Sequence, residues 1–174
     1  MLKKQITVAK LKPTISLTAS SLKMKAGQST TAFKAAGLAK GDYVTKVTSG
    51  NTGIVKVSSV TKKGTFRLTA GKKAGSTTVK VILASKKSAS FKVTVQRGAV
   101  KTSKITVSTK SVTLKKGTTY RKLASSVKVT PVTSQEKVTY TSSNKKIATV
   151  TSGGVIKGLK KGTATITIRS GSKR

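Results

Sequence analysis

Lys137-Val138-Thr139-Tyr140-Thr141-Ser142-Ser143-Asn144-Lys145-Lys146-Ile147-Ala148-Thr149-Val150 reads as strand, turn, strand. Val138 and Tyr140 alternate with Thr139 and Thr141, the two-residue period of a half-buried strand. Ser143, Asn144 and the lysine pair then interrupt the pattern with turn-forming and strongly hydrated side chains. The alternation returns downstream at Ala164/Ile166/Ile168 and upstream at Phe91/Val93/Val95, again with Thr and Lys at the intervening positions. Strands of about five residues, separated by Gly, Ser and Asn turns, predict an all-β fold of the sandwich type. No stretch sustains a helical period; Phe33 to Leu38 is where a short helical turn is expected.

The chain also repeats itself. Ile15-Ser16-Leu17 and Leu22-Lys23-Met24-Lys25-Ala26-Gly27 return ninety residues later as Ile105-Thr106-Val107 and Val112-Thr113-Leu114-Lys115-Lys116-Gly117. Asn51, Ile54, Val55 and Val57 return as Asn144, Ile147, Ala148 and Val150, and Gly75-Ser76-Thr77-Thr78-Val79-Lys80-Val81 as Gly162-Thr163-Ala164-Thr165-Ile166-Thr167-Ile168. Self-similarity at this period marks two homologous domains in tandem.

The second copy resembles the bacterial immunoglobulin-like domains of the invasin and intimin type. The residues that carry the resemblance are the opening stretch, then Gly153-Gly154-Val155-Ile156-Lys157-Gly158 and Lys161-Gly162-Thr163-Ala164-Thr165-Ile166, within residues 104–169. Tyr140 stands where that family usually has Trp. The first copy, residues 15–96, is similar more loosely and departs in its middle. The resemblance implies two tandem antiparallel Ig-like β-sandwiches, non-enzymatic, used as spacers or adhesive modules on bacterial surfaces and on phage capsids, tails and fibres. Fold alone does not fix function.

The expected organisation is an N-terminal strand over 1–11, a first Ig-like domain over 12–97, a basic linker over 98–103 without a packing pattern, and a second Ig-like domain over 104–174. In the first domain the strand after Gly75 is followed by Ser90-Phe91-Lys92-Val93-Thr94-Val95; the second shows no such closing strand before Arg174. Gln5-Ile6-Thr7-Val8-Ala9 alternates like a spare strand. An unpaired sheet edge is a template for another chain, so residues 4–10 are expected to complete the second domain of a neighbouring copy by strand addition. Head-to-tail pairing of that kind builds rings or filaments. The alternative is that this segment lies on its own first domain.

Thirty-seven Lys and Arg stand against two acids, Asp42 and Glu136, a net charge of +35 over 174 residues. Without His or Cys, and with one acid per repeat, the chain lacks the usual general acids, bases, paired carboxylates and metal ligands. No enzyme activity, cofactor or metal is expected. Asn51 and Asn144 read as turn residues rather than as partners in a Lys–Asn cross-link. Hydrophobic residues at 35%, in alternating order, predict folding despite the charge, around small aliphatic cores.

Lysines pair beside turn glycines at Lys62-Lys63-Gly64, Gly71-Lys72-Lys73, Lys115-Lys116-Gly117 and Lys160-Lys161-Gly162. If the strands of the second domain run alternately up and down, Lys115, Lys116, Lys145, Lys146, Lys160 and Lys161 fall at one end of the sandwich and form a polyanion-binding knob. Single lysines at turns are ordinary solubilising decoration, but decoration mixes signs, and here the acids are omitted. With five Arg and few aromatics, base reading is poorly supplied and nucleic acid is expected to bind only non-specifically. The partners expected are further copies of the chain or a larger assembly, an acidic protein surface, or an anionic glycan such as teichoic acid; no membrane insertion is expected. The first functional reading is a phage virion component decorating head, tail or fibre. The alternatives are a secreted bacterial cell-surface adhesin or spacer and a basic nucleic-acid-binding protein.

Overall fold

A computed structural model describes residues 12–174. The chain divides at Arg97/Gly98 into two units.

Unit 1 contains β1 (Ser16–Leu17), β2 (Ser21–Lys25), β3 (Ser29–Thr30), β4 (Ala35–Ala36), β5 (Val44–Ser49), β6 (Val55–Ser58), β7 (Arg67–Ala70), β8 (Gly75–Leu83) and β9 (Ser88–Gln96). One sheet has the order β2-β9-β8-β5, a second β3-β7-β6, and β1 pairs with β4. All ladders are antiparallel except β2 with β9, which is parallel. Every second residue of β8 and β9 points inward, so Val79, Val81, Phe91, Val93 and Val95 meet Leu68 and Val55 from the facing sheet in one core. At its centre the Phe33 and Phe91 rings stack with centroids 4.0 Å apart, and Phe66 lies 6.2 Å from Phe91. The stretch expected to turn helically at Phe33 to Leu38 is instead β4, because Ala35 and Ala36 pair with Leu17 and Ser16.

Unit 2 contains β10 (Lys104–Val107), β11 (Thr119–Tyr120), the one-turn helix α1 (Leu123–Ser126), β12 (Val127–Thr130), β13 (Val138–Ser142), β14 (Ala148–Val150), β15 (Ile156–Gly158) and β16 (Ile166–Ser170). Its sheets are β11-β15-β14, β13-β16 and β10-β12, all antiparallel. They correspond to β3-β7-β6, β5-β8 and β1-β4 of unit 1: Ser142 faces Ile166 as Ser49 faces Val79, and Val138 faces Ser170 as Val44 faces Leu83, although β5 shifts register between Val44 and Lys46 and β13 does not. Both units are β throughout, α1 apart.

Residues 98–103, expected as a linker, are held by unit 2. Val100 and Thr102 are buried; the Val100 carbonyl accepts from the Gln135 amide at 2.9 Å, and the Thr102 amide donates to Glu136 Oε2 at 2.6 Å. The Thr102 hydroxyl lies 2.6 Å from Ser170 Oγ and 2.8 Å from Ser134 Oγ. A threonine in the inward register satisfies its hydroxyl inside such a network, and that is why polarity alone conceals the pattern.

Candidate polyanion-binding end of unit 2

Three loops of unit 2 carry the six candidate lysines, and backbone hydrogen bonds tie the loops together. The turn at Lys115–Thr118 closes through Thr118 N–H to Lys115 O at 3.1 Å and reaches the next loop through Gly117 N–H to Gly158 O at 2.8 Å. Gly117 sits at φ +83°, a conformation that an L side chain strains to adopt. The turn at Asn144 is an Asx turn: the side-chain carbonyl accepts from the Lys146 amide at 3.0 Å, and the Asn144 backbone carbonyl accepts from Ile147 and Ala148. The third loop docks on it, Leu159 N–H at 2.8 Å and Lys160 N–H at 3.2 Å both donating to Ile147 O. Lys115, Lys116, Lys145, Lys146, Lys160 and Lys161 are all exposed on this connected set.

The acid of unit 2 is at the other end. Glu136 precedes Val138, which faces Ser170, whereas the lysine loops adjoin the Ser142–Ile166 pair. Five residues of β16 therefore lie between them, about 13 Å of strand. Beyond a Debye length of about 8–10 Å, one carboxylate does little to neutralise six ammonium groups. The arrangement can hold an extended anionic polymer through many weak, salt-sensitive contacts.

Asp42 belongs to unit 1, apart from these loops. Its carboxylate accepts the Ser85 hydroxyl at 2.6 Å, the Ser85 amide at 3.2 Å and the Tyr43 amide at 2.9 Å. The Ser85 hydroxyl is the main reason that its pKa lies below the usual carboxylate value. Asn51 Oδ1 likewise caps a turn, accepting from Gly53 at 2.9 Å. Among the described residues no three His, Cys, Asp or Glu side chains come together as a metal site would require, and no helix is long and apolar enough to cross a membrane. The segment Gln5, Ile6, Thr7, Val8 and Ala9 lies outside the described residues.

Residues 101–173 match the family model described as bacterial Ig-like domain (group 2). Unit 2 is a bacterial Ig-like domain. The sequence match and the strand order agree on this domain, and the match falls wholly within unit 2. No curated protein matches the chain. Among solved structures, the S-layer protein rSbsC(31-844) aligns at 19% identity over 96% of this chain and 23% of its own, with a TM-score of 0.47. Domains 5-6 of the S-layer protein SbsC align at 20% identity over 94% of this chain and 93% of theirs, with a TM-score of 0.45. The chain thus spans about a quarter of the longest S-layer chains it aligns with. With TM-scores below 0.5, these likenesses carry no weight for function.

One feature of the Ig-like domain escaped the lysine pattern. A cleft of about 500 Å³ between Val112 and Ile166, floored by Tyr120, Leu123 and Ile156, continues past Leu114 and Ile147 as a second of about 350 Å³. The signal for it was present in the ninety-residue repeat, which aligns Val112 and Leu114 with the core residues Leu22 and Met24.

Proposed function

We propose that the chain is a non-catalytic structural and adhesive module of the bacterial cell surface, and that the lysine-bearing end of unit 2 binds an anionic surface polymer of the teichoic acid or acidic glycan class. The single observation that carries the binding role is the hydrogen-bonded assembly of three loops, each presenting two exposed lysines, with the domain's acid at the far end. Family membership of unit 2 among bacterial Ig-like domains supports a surface module ahead of the virion component placed first by sequence. The matched ladder registers support unit 1 as a second, divergent copy of the same sandwich.

An amide or hydroxyl lining would recognise one sugar through directed bonds. Six flexible ammonium groups read charge density instead, so the partner is defined as a class. Titration of the full chain with purified teichoic acid, with a neutral glucan in parallel, tests this. Saturable binding to the anionic polymer alone supports the reading; equal binding to both polymers, or to neither, contradicts it.

A further inference from the structure

We infer, resting on the polymer-binding role proposed above, that the lysine end of unit 2 selects its partner by charge density and takes a phosphodiester polymer ahead of a glycan with one carboxylate per disaccharide. Sheet order fixes the layout of the end. β15 lies between β11 and β14. The loop that leaves β15 after Gly158 therefore stands between the loops that lead into Thr119 and Ala148. Lys160 and Lys161 are flanked by Lys115 and Lys116 on one side and by Lys145 and Lys146 on the other, all six exposed. Neighbouring strands lie about 4.8 Å apart, so the three pairs form a row about 10 Å long.

Unit 1 shows that the loops do not need this charge in order to form. The same bonds recur there: Gly27 N–H donates to Gly71 O at 3.2 Å as Gly117 does to Gly158, and Gly71 N–H to Ile54 O at 2.8 Å as Leu159 does to Ile147. Gly53 N–H donates to Asn51 Oδ1 at 2.9 Å as Lys146 does to Asn144. Yet Ala26 stands where unit 2 has Lys116, and Thr52 and Gly53 stand where it has Lys145 and Lys146. Turns that close with neutral side chains leave these three lysines of unit 2 without a folding role. Six ammonium groups in so short a row repel one another, and an anion relieves that repulsion. Among the described residues the Lys116, Lys145 and Lys161 amides make no hydrogen bond, so each loop also offers an N–H to an anionic oxygen.

The row distinguishes polymers by how often they repeat their charge. Three successive covalent bonds of an extended chain span about 3.5 Å. A phosphodiester polymer with three carbons between phosphates repeats its charge every six bonds, about 7 Å at full extension. A glycan with one carboxylate per disaccharide repeats it every ten bonds, about 12 Å. A row about 10 Å long thus faces up to two phosphates but a single carboxylate. The denser polymer neutralises more of the row and releases more counterions, and its advantage depends on all three loops being charged.

The full chain is titrated, at one salt concentration, with a glycerol phosphate polymer and with a glycan of one uronate per disaccharide, matched in number of charges. The parent is expected to bind the phosphodiester polymer about tenfold more tightly. Lys116→Ala with Lys145→Thr and Lys146→Gly, the residues that unit 1 carries in the same loops, is expected to bring the two affinities within about threefold of each other. Lys56→Gln with Lys80→Gln and Lys92→Gln removes the same charge elsewhere and keeps the parental preference. The comparison of the two polymers on the parent chain holds whether or not a variant folds. Equal affinities, tighter binding of the uronate glycan, or a preference that both variants alter alike overturns the inference and leaves the polymer-binding role standing. Binding to neither polymer overturns both.

Discussion

Leu22 and Val112 occupy the same position in the two units, yet Leu22 is covered by β9 and Val112 faces an open cleft. The cores differ accordingly. Unit 1 buries a cluster that includes Phe33, Phe66 and Phe91, while the buried apolar side chains of unit 2 are Val100, Leu123 and Ile156. Burying a single large apolar side chain is worth roughly 1.5–3 kcal/mol, so the difference is large beside the net stability of a small domain.

Calorimetry is expected to resolve two transitions, with unit 2 melting first. Phe91→Ala, which removes one ring of the 4.0 Å stack with Phe33, lowers the upper transition at a cost of about 3–5 kcal/mol. Ile156→Ala lowers only the lower one, by about 2–4 kcal/mol. A single transition moved equally by both substitutions contradicts this division.

Gly64 is at φ +90°, and a Cβ there would stand 2.6 Å from the Ala35 carbonyl oxygen. The Ala35 amide already donates to the Gly64 carbonyl at 2.9 Å, so the two backbones cannot separate without losing that bond. Gly64→Ala is expected to destabilise unit 1 by roughly 1–3 kcal/mol in urea unfolding. Gly98→Ala, with nothing within 4 Å, serves as the neutral comparison.

Asp42 gives the stability of unit 1 a pH dependence with a definite sign. Its folded pKa is depressed, chiefly by the Ser85 hydroxyl, so its contribution is present above the unfolded value near 3.9 and is lost as pH falls through the folded value. Asp42→Asn should therefore be less stable than the parent at pH 7 and converge with it towards pH 2. Urea midpoints at the two pH values measure this; a gap that widens in acid contradicts it.

Salt should weaken the proposed polymer binding. Association of a chain of net charge +35 with an anionic polymer loses strength as counterion release loses its advantage. Light scattering of the protein mixed with polyphosphate, from about 50 to 500 mM salt, should fall as salt rises. A signal indifferent to salt contradicts the account.

Strand identity was legible wherever apolar and polar residues alternate, as in β9, β13 and β16, because one face of each meets a core. The lysine loops were legible for a related reason: strand alternation fixes which turns share an end. Three features were less readable. The Leu123–Ser126 helix is a single turn, too short to impose a period. Residues 98–103 pack through a buried hydroxyl network that polarity disguises. The cleft beside Val112 shows only when one repeat is compared with the other, Val112 being exposed where Leu22 is buried.

The most direct test of the proposed role compares two variants of equal net charge. One changes Lys115, Lys116, Lys145, Lys146, Lys160 and Lys161 to Gln; the other changes the exposed Lys56, Lys63, Lys80, Lys92, Lys104 and Lys128 to Gln. Affinity for teichoic acid is measured against salt concentration for both and for the parent. The account predicts that the first variant loses about 4 from the slope of log K against log salt, taking ~0.7 per contact, while the second keeps most of the parental slope. Equal losses in the two variants would show that total charge, and not the lysine end of unit 2, governs binding.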